Sequence, residues 1–235
     1  MNRRNFIKRS ILISCLFSQK ALSQMVPITL PFDEEEESFK ISVYLTIDDG
    51  PGKYMDRILE NLGNNKAVFY IVGRSCETST NFDLITKAIK SGHIIANHSY
   101  SHPNFQSLSL KSAEQEVIKT DRIIESAYLS ANLERKIKLF RFPYGSVNSN
   151  FIPFLKEIGY RPVKSWDKNY CDWDLDTQDY LYGKLSGSAI LSRCRKTKDN
   201  DIVLMHDMPR GLEFTANSII PYYVNSGLYK LKIPM

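Results

Sequence analysis

Asp48 and Asp49 stand side by side in LTIDDGP, residues 45–51, after an apolar run and just before Gly50-Pro51. Adjacent like charges repel, so two carboxylates at the end of a strand need a reason. His98 and His102 lie four residues apart in NHSYSHPNF. On one helical turn that spacing points both imidazoles the same way, and a shared metal is the common reason. An aspartate from another strand end would complete a set of two histidines and one carboxylate. Such a set leaves a coordination position open, as a catalytic metal requires. Zinc suits these donors, and cobalt, nickel or iron fit similar ones. The neighbouring aspartate would then act as the base that takes a proton from water. A plain turn competes as a reading of Asp48-Asp49-Gly50-Pro51, since Asp, Gly and Pro favour turns. The two histidines weigh against it.

The elements that must position these residues follow from hydrophobic period. Residues 41–47, 66–72, 93–97, 138–142, 161–166 and 201–206 read as strands, and 55–63, 81–92 and 109–129 as amphipathic helices. Strands alternating with helices predict an α/β protein with a parallel sheet. About seven such units suit a compact, distorted (β/α) barrel, complete or incomplete. The polar groups then fall at the C-terminal ends of strands: Asp48-Asp49, His98 and His102, Arg141, Trp166 with Asp172-Trp173 beyond it, and His206. In a barrel those ends form one face, where side chains from different strands converge. His93 lies at the start of a strand instead, which predicts a structural role.

TIDDGP at 46–51, HSYSH at 98–102, RFPYG at 141–145, Asp172-Trp173 and LMH at 204–206 occur in the order and approximate spacing of five motifs. In this the chain resembles the polysaccharide deacetylases, carbohydrate esterase family 4. KAVFYIVG and GHIIANHSYSHPNF resemble the family's surroundings of the first two motifs. The resemblance runs from about Val43 to Asp207. It implies that Asp48 is the catalytic base and that Asp49, His98 and His102 are the metal ligands. It implies that Arg141 holds the base and that the Tyr144 backbone N–H helps bind the oxyanion. Asp172 would orient the catalytic histidine, Trp173 and Leu204 would wall an acetyl pocket, and His206 would be the general acid. Two positions depart from the pattern. Ile47 replaces a commoner phenylalanine, and Asn169 stands where many members have an acid three residues before the Asp172 position.

The implied reaction is metal-assisted hydrolysis of an N-acetyl group on an N-acetylhexosamine polymer or oligomer, with release of acetate. An amidase for a small non-sugar amide would keep the same site. A catalytically inactive sugar-binding relative is the third reading, and retention of Asp48, His98 and His102 counts against it. The loops that choose among peptidoglycan, chitin oligomers, other glucosamine polymers and xylan esters follow no rule legible here.

The first 23 residues differ from the rest. A basic start, a short apolar stretch and Ala21-Leu22-Ser23 predict a signal peptide cut before Gln24. Arg3-Arg4 resembles a twin-arginine signal, general secretion is the competing route, and a lipid-attachment box ending at Cys15 is a third. Export predicts a periplasmic or extracellular location. Residues 24–40, with the acidic run Asp33–Glu37, read as a linker, and 41–235 as the catalytic domain. Arg3, Arg4, Lys8, Arg9 and Lys20 account for the whole excess of 31 basic over 26 acidic residues. The remainder is formally neutral, which removes the charge argument for nucleic acid as a partner. The expected partners are an acetylated glycan and the export machinery, with the protein itself a monomer. Cys76, Cys171 and Cys194 are too few and too far apart for a disulfide framework, though one bridge stays open.

Overall fold

The computed structural model describes residues 40–164, 173–207 and 212–234. Residues 1–39, which include the segment expected to be a signal peptide and nearly all of the expected linker, and Trp166, Asn169, Cys171 and Asp172 lie outside them. Strand β1 spans Ile41–Gly50, helix α1 Met55–Leu62, β2 Val68–Ile71, α2 Ser79–Lys90, β3 Ile94–Asn97 and α3 Leu110–Ser130. Then come α4 Ile152–Glu157, β4 Leu175–Asp176, α5 Gly187–Cys194 and β5 Asp201–His206. Helix α6, Leu212–Phe214, runs through a π-turn at Thr215–Ile219 into α7, Ile220–Asn225, and β6 is Tyr229–Leu231. Side-chain oxygens of Thr78, Ser109 and Ser186 cap α2, α3 and α5. Each cap satisfies a backbone N–H that the first helical turn leaves open, worth about 1 kcal/mol.

The sheet is parallel, in the order β3-β2-β1-β5-β4, and β6 pairs with the start of β1. Among the described residues it does not close. Two isolated parallel bridges, Asn97 to Phe140 and Leu139 to Arg161, extend it beyond β3. Over their described residues, the strands expected at 138–142 and 161–166 are therefore bridges, not ladders. Pro143 and Pro162 lack the N–H a ladder needs. The five strands of the main path and the two bridged segments make seven, against about seven units expected, and β6 adds an eighth beside the start of β1. β4 and β6 went unread in the sequence because two or three residues carry no period.

Each strand sorts its side chains by parity. Leu45, Ile47, Phe69, Ile71, Ile95, Val203 and Met205 are buried in one cluster with Ile58, Leu62, Ile85 and Ile219 from the surrounding helices. Val68, Tyr70, Ile94, Ala96 and Ile202 form a second cluster with Leu139, Val163, Tyr44 and Trp173, on the inner side. Truncating a fully buried aliphatic such as Leu45 to Ala would cost about 2–5 kcal/mol. His93 is buried at the start of β3, where its Nδ1 accepts from the Ala67 N–H at 3.2 Å. Burial, with the charge of Lys66, lowers its pKa to about 4. That is a structural histidine.

Candidate active site

On β1 the inner parity holds Tyr44, Thr46 and Asp48, and on β5 it holds Ile202, Leu204 and His206. Thr46 pairs in register with Leu204 and Asp48 with His206. Strict alternation would send Asp49 to the helix side. Instead the β1–β2 register slips between Asp48 and Gly50, and Asp49 takes φ 70°. This bulge lets two consecutive aspartates face one site. The turn after it is pinned from β5. Asp207 donates its N–H to the Asp48 carbonyl at 2.7 Å, and its Oδ2 accepts from the Gly52 N–H at 2.6 Å. A Cβ on Gly52 would lie 2.4 Å from the Asp207 carbonyl oxygen, so the close approach requires glycine. Burial pushes the Asp207 carboxyl up to about 6.

Arg141 is fully buried and donates to Asp48 Oδ1 at 2.7 Å and to Thr46 Oγ1 at 2.9 Å. Its guanidinium lies 4.2 Å from the centre of the Tyr70 ring. His98 Nδ1 lies 2.8 Å from the Arg141 carbonyl oxygen. A carbonyl only accepts, so Nδ1 carries the hydrogen and Nε2 presents its lone pair. His98 and His102 do not share a helical turn. They flank an irregular loop in which Ser99 has φ 69° and His102 φ 58°.

The three ligand candidates converge. Asp49 Oδ1 is 3.0 Å from His102 Nε2 and 3.5 Å from His98 Nε2, and the two nitrogens are 3.3 Å apart. Bonds of about 2.0–2.1 Å to a tetrahedral ion imply ligand spacings of about 3.3–3.4 Å, so the three atoms fit one divalent ion. Asp49 Oδ1 is buried without a well-directed hydrogen bond, the mark of an atom waiting for a cation. Burial alone would raise the Asp49 carboxyl, but His102 and His98 hold it far below the usual carboxylate range. Burial alone would lower His98, but the charge of Asp48 and the bond and charge of Asp49 raise it. Donors that attract a proton this way also attract a metal ion, and the two compete.

Across from this set stands His206. Its Nδ1 is 2.8 Å from Asp179 Oδ1, and its backbone N–H donates to Asp179 Oδ2 at 2.8 Å. Thr215 Oγ1 donates to the same Oδ2 at 2.7 Å, and the Tyr180 N–H donates to Oδ1 at 3.0 Å. Burial would lower the His206 pKa, but the bond and charge of Asp179, with Asp48 and Asp49, raise it to about 9. Asp179 therefore stands where the sequence predicts Asp172, beside the His206 ring, while Asp172 lies outside the described residues. The aromatic after Asp179, Tyr180, lies edge-on to the His206 ring at 5.2 Å. Asp176 stands three residues before Asp179, the spacing at which an acid is expected before the motif's aspartate. DTQDY at 176–180 carried the signal, but its tyrosine hid it behind the tryptophan of Asp172-Trp173.

Asp48, Asp49, His98, His102 and His206 line one cavity of about 660 Å³, with Tyr144, Trp173, Leu204, Asp176 and Tyr180 on its walls. Leu204 is buried, Trp173 half-buried and Tyr144 exposed. The Tyr144 ring packs edge-on against His102 at 4.4 Å. The structure therefore brings every described candidate into one site. Cys76 and Cys194 are free, buried thiols, while Cys171 lies outside the described residues.

Residues 35–163 match the polysaccharide deacetylase family. That is more than half of the chain, and the chain belongs to this family. A peptidoglycan-N-acetylglucosamine deacetylase of Bacillus cereus is 33% identical over 174 residues, 70% of this chain and 59% of that protein. A family 4 carbohydrate esterase from Streptomyces lividans, solved with acetate, superposes with a TM-score of 0.64 at 27% identity, over 83% of this chain and 92% of that one. A family 4 pseudoenzyme from Bacillus anthracis superposes with a TM-score of 0.63 at 28% identity, over 82% and 63%.

Proposed function

We propose that this protein hydrolyses the acetamide of N-acetylhexosamine units in a polysaccharide or oligosaccharide, giving acetate and a free amino sugar. One observation carries the reading: a base held by an arginine, a site for a divalent ion and a cationic histidine face one cavity. A divalent ion, zinc by the chemistry of its donors, would be held by Asp49, His98 and His102 and would supply Lewis-acid polarisation of the acetyl carbonyl and a more acidic water. Asp48, fixed by Arg141, takes the proton of the attacking water. The Tyr144 N–H donates to the oxygen on which charge develops. His206 is protonated near neutral pH because Asp179 faces Nδ1, and it gives its Nε2 proton to the leaving nitrogen. The C–N bond breaks as the nitrogen becomes an amine. Leu204, Trp173 and Tyr180 shape apolar walls for the methyl group. The cavity falls in the range of about 300–1,000 Å³ common for ligand sites, more than one acetyl group needs, which favours a sugar over a small amide.

The test is acetate release from N-acetylglucosamine oligomers, peptidoglycan fragments, acetylated xylan and small acetamides, before and after chelation and zinc repletion. Release from the N-acetylated glycans, lost on chelation and restored by zinc, is expected. Release confined to small acetamides would change the substrate class. No release from any would make the chain an inactive, sugar-binding relative.

The proposal extends to location and organisation. Residues 1–23 direct export to the periplasm or beyond, 24–40 link, and 41–235 catalyse as a monomer. No described helix is long and apolar enough to cross a membrane. Replacing Arg3 and Arg4 by Lys should stop or sharply reduce export, and the mature chain should begin near Gln24. Undiminished export would point to general secretion, and a lipidated Cys15 to anchoring.

A further inference from the structure

Both histidines of the metal site hang on one loop, and that loop is held in an unfavourable shape. Ser99 and His102 have left-handed φ values of 69° and 58°, which non-glycine residues rarely adopt. Such a conformation persists only where its surroundings over-determine it. Part of the hold is local. Asn97 Oδ1 accepts from the Ser99 N–H at 2.9 Å, and Ser99 Oγ from the His102 N–H at 3.1 Å. The Gly73 and Arg74 N–H groups donate to the Ser99 and Tyr100 carbonyls at 3.0 and 2.9 Å, and the loop's central N–H groups are held by a carboxylate outside the site. Glu116 Oε2 accepts from the backbone N–H groups of Tyr100 at 2.9 Å and Ser101 at 2.7 Å. Its Oε1 accepts from the Ser101 hydroxyl at 2.8 Å.

One side chain thus gathers the two central N–H groups of a loop with a metal-ligand candidate at each end. Its own base is firm. Glu116 projects from α3, whose Ala113, Val117 and Thr120 are fully buried on either side of it. Asn97 ties the same helix to the start of the loop, donating to the Val117 carbonyl at 3.0 Å. Without the carboxylate the Tyr100 and Ser101 N–H groups would turn to water. Nothing else from α3 grips the middle of the loop backbone.

We infer that Glu116 is a positioning residue that sets the spacing of the His98 and His102 imidazoles, and through it the affinity of the site for a divalent ion. The inference rests on the metal reading of Asp49, His98 and His102. Glu116 touches neither ion nor substrate.

The experiment measures zinc affinity of the full chain, stripped of metal, by competition with a chromophoric chelator. Glu116→Ala should bind zinc roughly 10–100-fold more weakly, the scale for groups that orient metal ligands. Glu116→Gln keeps an oxygen for the two N–H groups and should stay within a few-fold of the parent. The visible spectrum of the cobalt-loaded protein should change in E116A and not in E116Q. If E116A does not fold, Glu116→Asp carries the test, because it draws the carboxylate back by one methylene while keeping the charge. Zinc affinity in E116A, or in E116D in its place, within twofold of the parent would overturn the inference and leave the metal reading standing. Equal losses in the alanine and glutamine variants would overturn it too. A parent chain that binds no zinc would overturn the metal reading and this inference together.

Discussion

The metal side of the site and the acid side are built in different ways. On the metal side, Asp49 comes from the end of β1, and His98 and His102 from the loop after β3. Each motif is short, and its chemistry shows in local spacing. On the acid side, His206 depends on Asp179, 27 residues earlier, and Asp179 on Thr215, 36 residues later. The metal side faced one competing explanation, a turn, and the histidine pair removed it. The acid side had several acidic residues upstream of His206, with nothing local to rank them. Both sides join residues far apart in sequence, but Asp48-Asp49 and the His98/His102 pair each carry a local pattern that shows their chemistry, while Asp179 and His206 carry none that points to the other.

The largest effect expected is on the metal side. Asp49→Ala removes one of three ligands, so zinc content measured after gel filtration should fall to background and activity with it. Metal retained in that variant would dissolve the contrast between the two sides. Next comes the boundary between them. Asp48→Asn should keep zinc but lower kcat by roughly 100-fold or more, the scale of a positioned general base. Equal metal loss in the Asp48 and Asp49 variants would show that both aspartates serve the ion.

A smaller effect belongs to the acid side. Against the effect of burial, Asp179, with the charges of Asp48 and Asp49, raises the His206 pKa to about 9, so the ring is protonated at neutral pH. With a proton donor, activity is lost as pH rises through that value. Asp179→Asn removes the charge and nearly keeps the shape, so the alkaline limb of kcat/KM should move down toward about 6.5. The rate at pH 7 should drop by roughly 10-fold or more. Asp172→Asn should leave that limb in place. A limb that moved in the Asp172 variant and not in the Asp179 variant would restore the pairing expected from the sequence. The smallest effect concerns Thr215, whose hydroxyl donates to the buried Asp179. Thr215→Val should cost about 1–3 kcal/mol in denaturant unfolding, because a charged acceptor loses a donor. It should leave zinc affinity unchanged, which separates the two sides once more.

Much of the architecture was legible because it rests on short periods. The apolar runs at 66–72 and 201–206 became β2 and β5, and the amphipathic stretch at 109–129 became α3. The two bridged segments have strand composition in KLFRF and RPVKS, while Pro143 and Pro162 act only on the ladder. Tyr180 is masked in the sequence by Trp173, the better match to an aspartate–tryptophan pair seven residues earlier. Trp173 does line the cavity, but it does so from the inner cluster.

By itself the sequence determined the alternation of strands and helices, the face on which their ends gather, and the residue types able to hold a metal ion. These depend on contacts within a few residues, where backbone geometry is nearly constant. Only the tertiary structure decided that a bulge turns Asp49 beside Asp48 and that Asp179 faces His206. It also decided that Glu116 reaches across from α3 to the histidine loop. Each of those depends on where the chain returns after tens of residues, and no local period encodes that return.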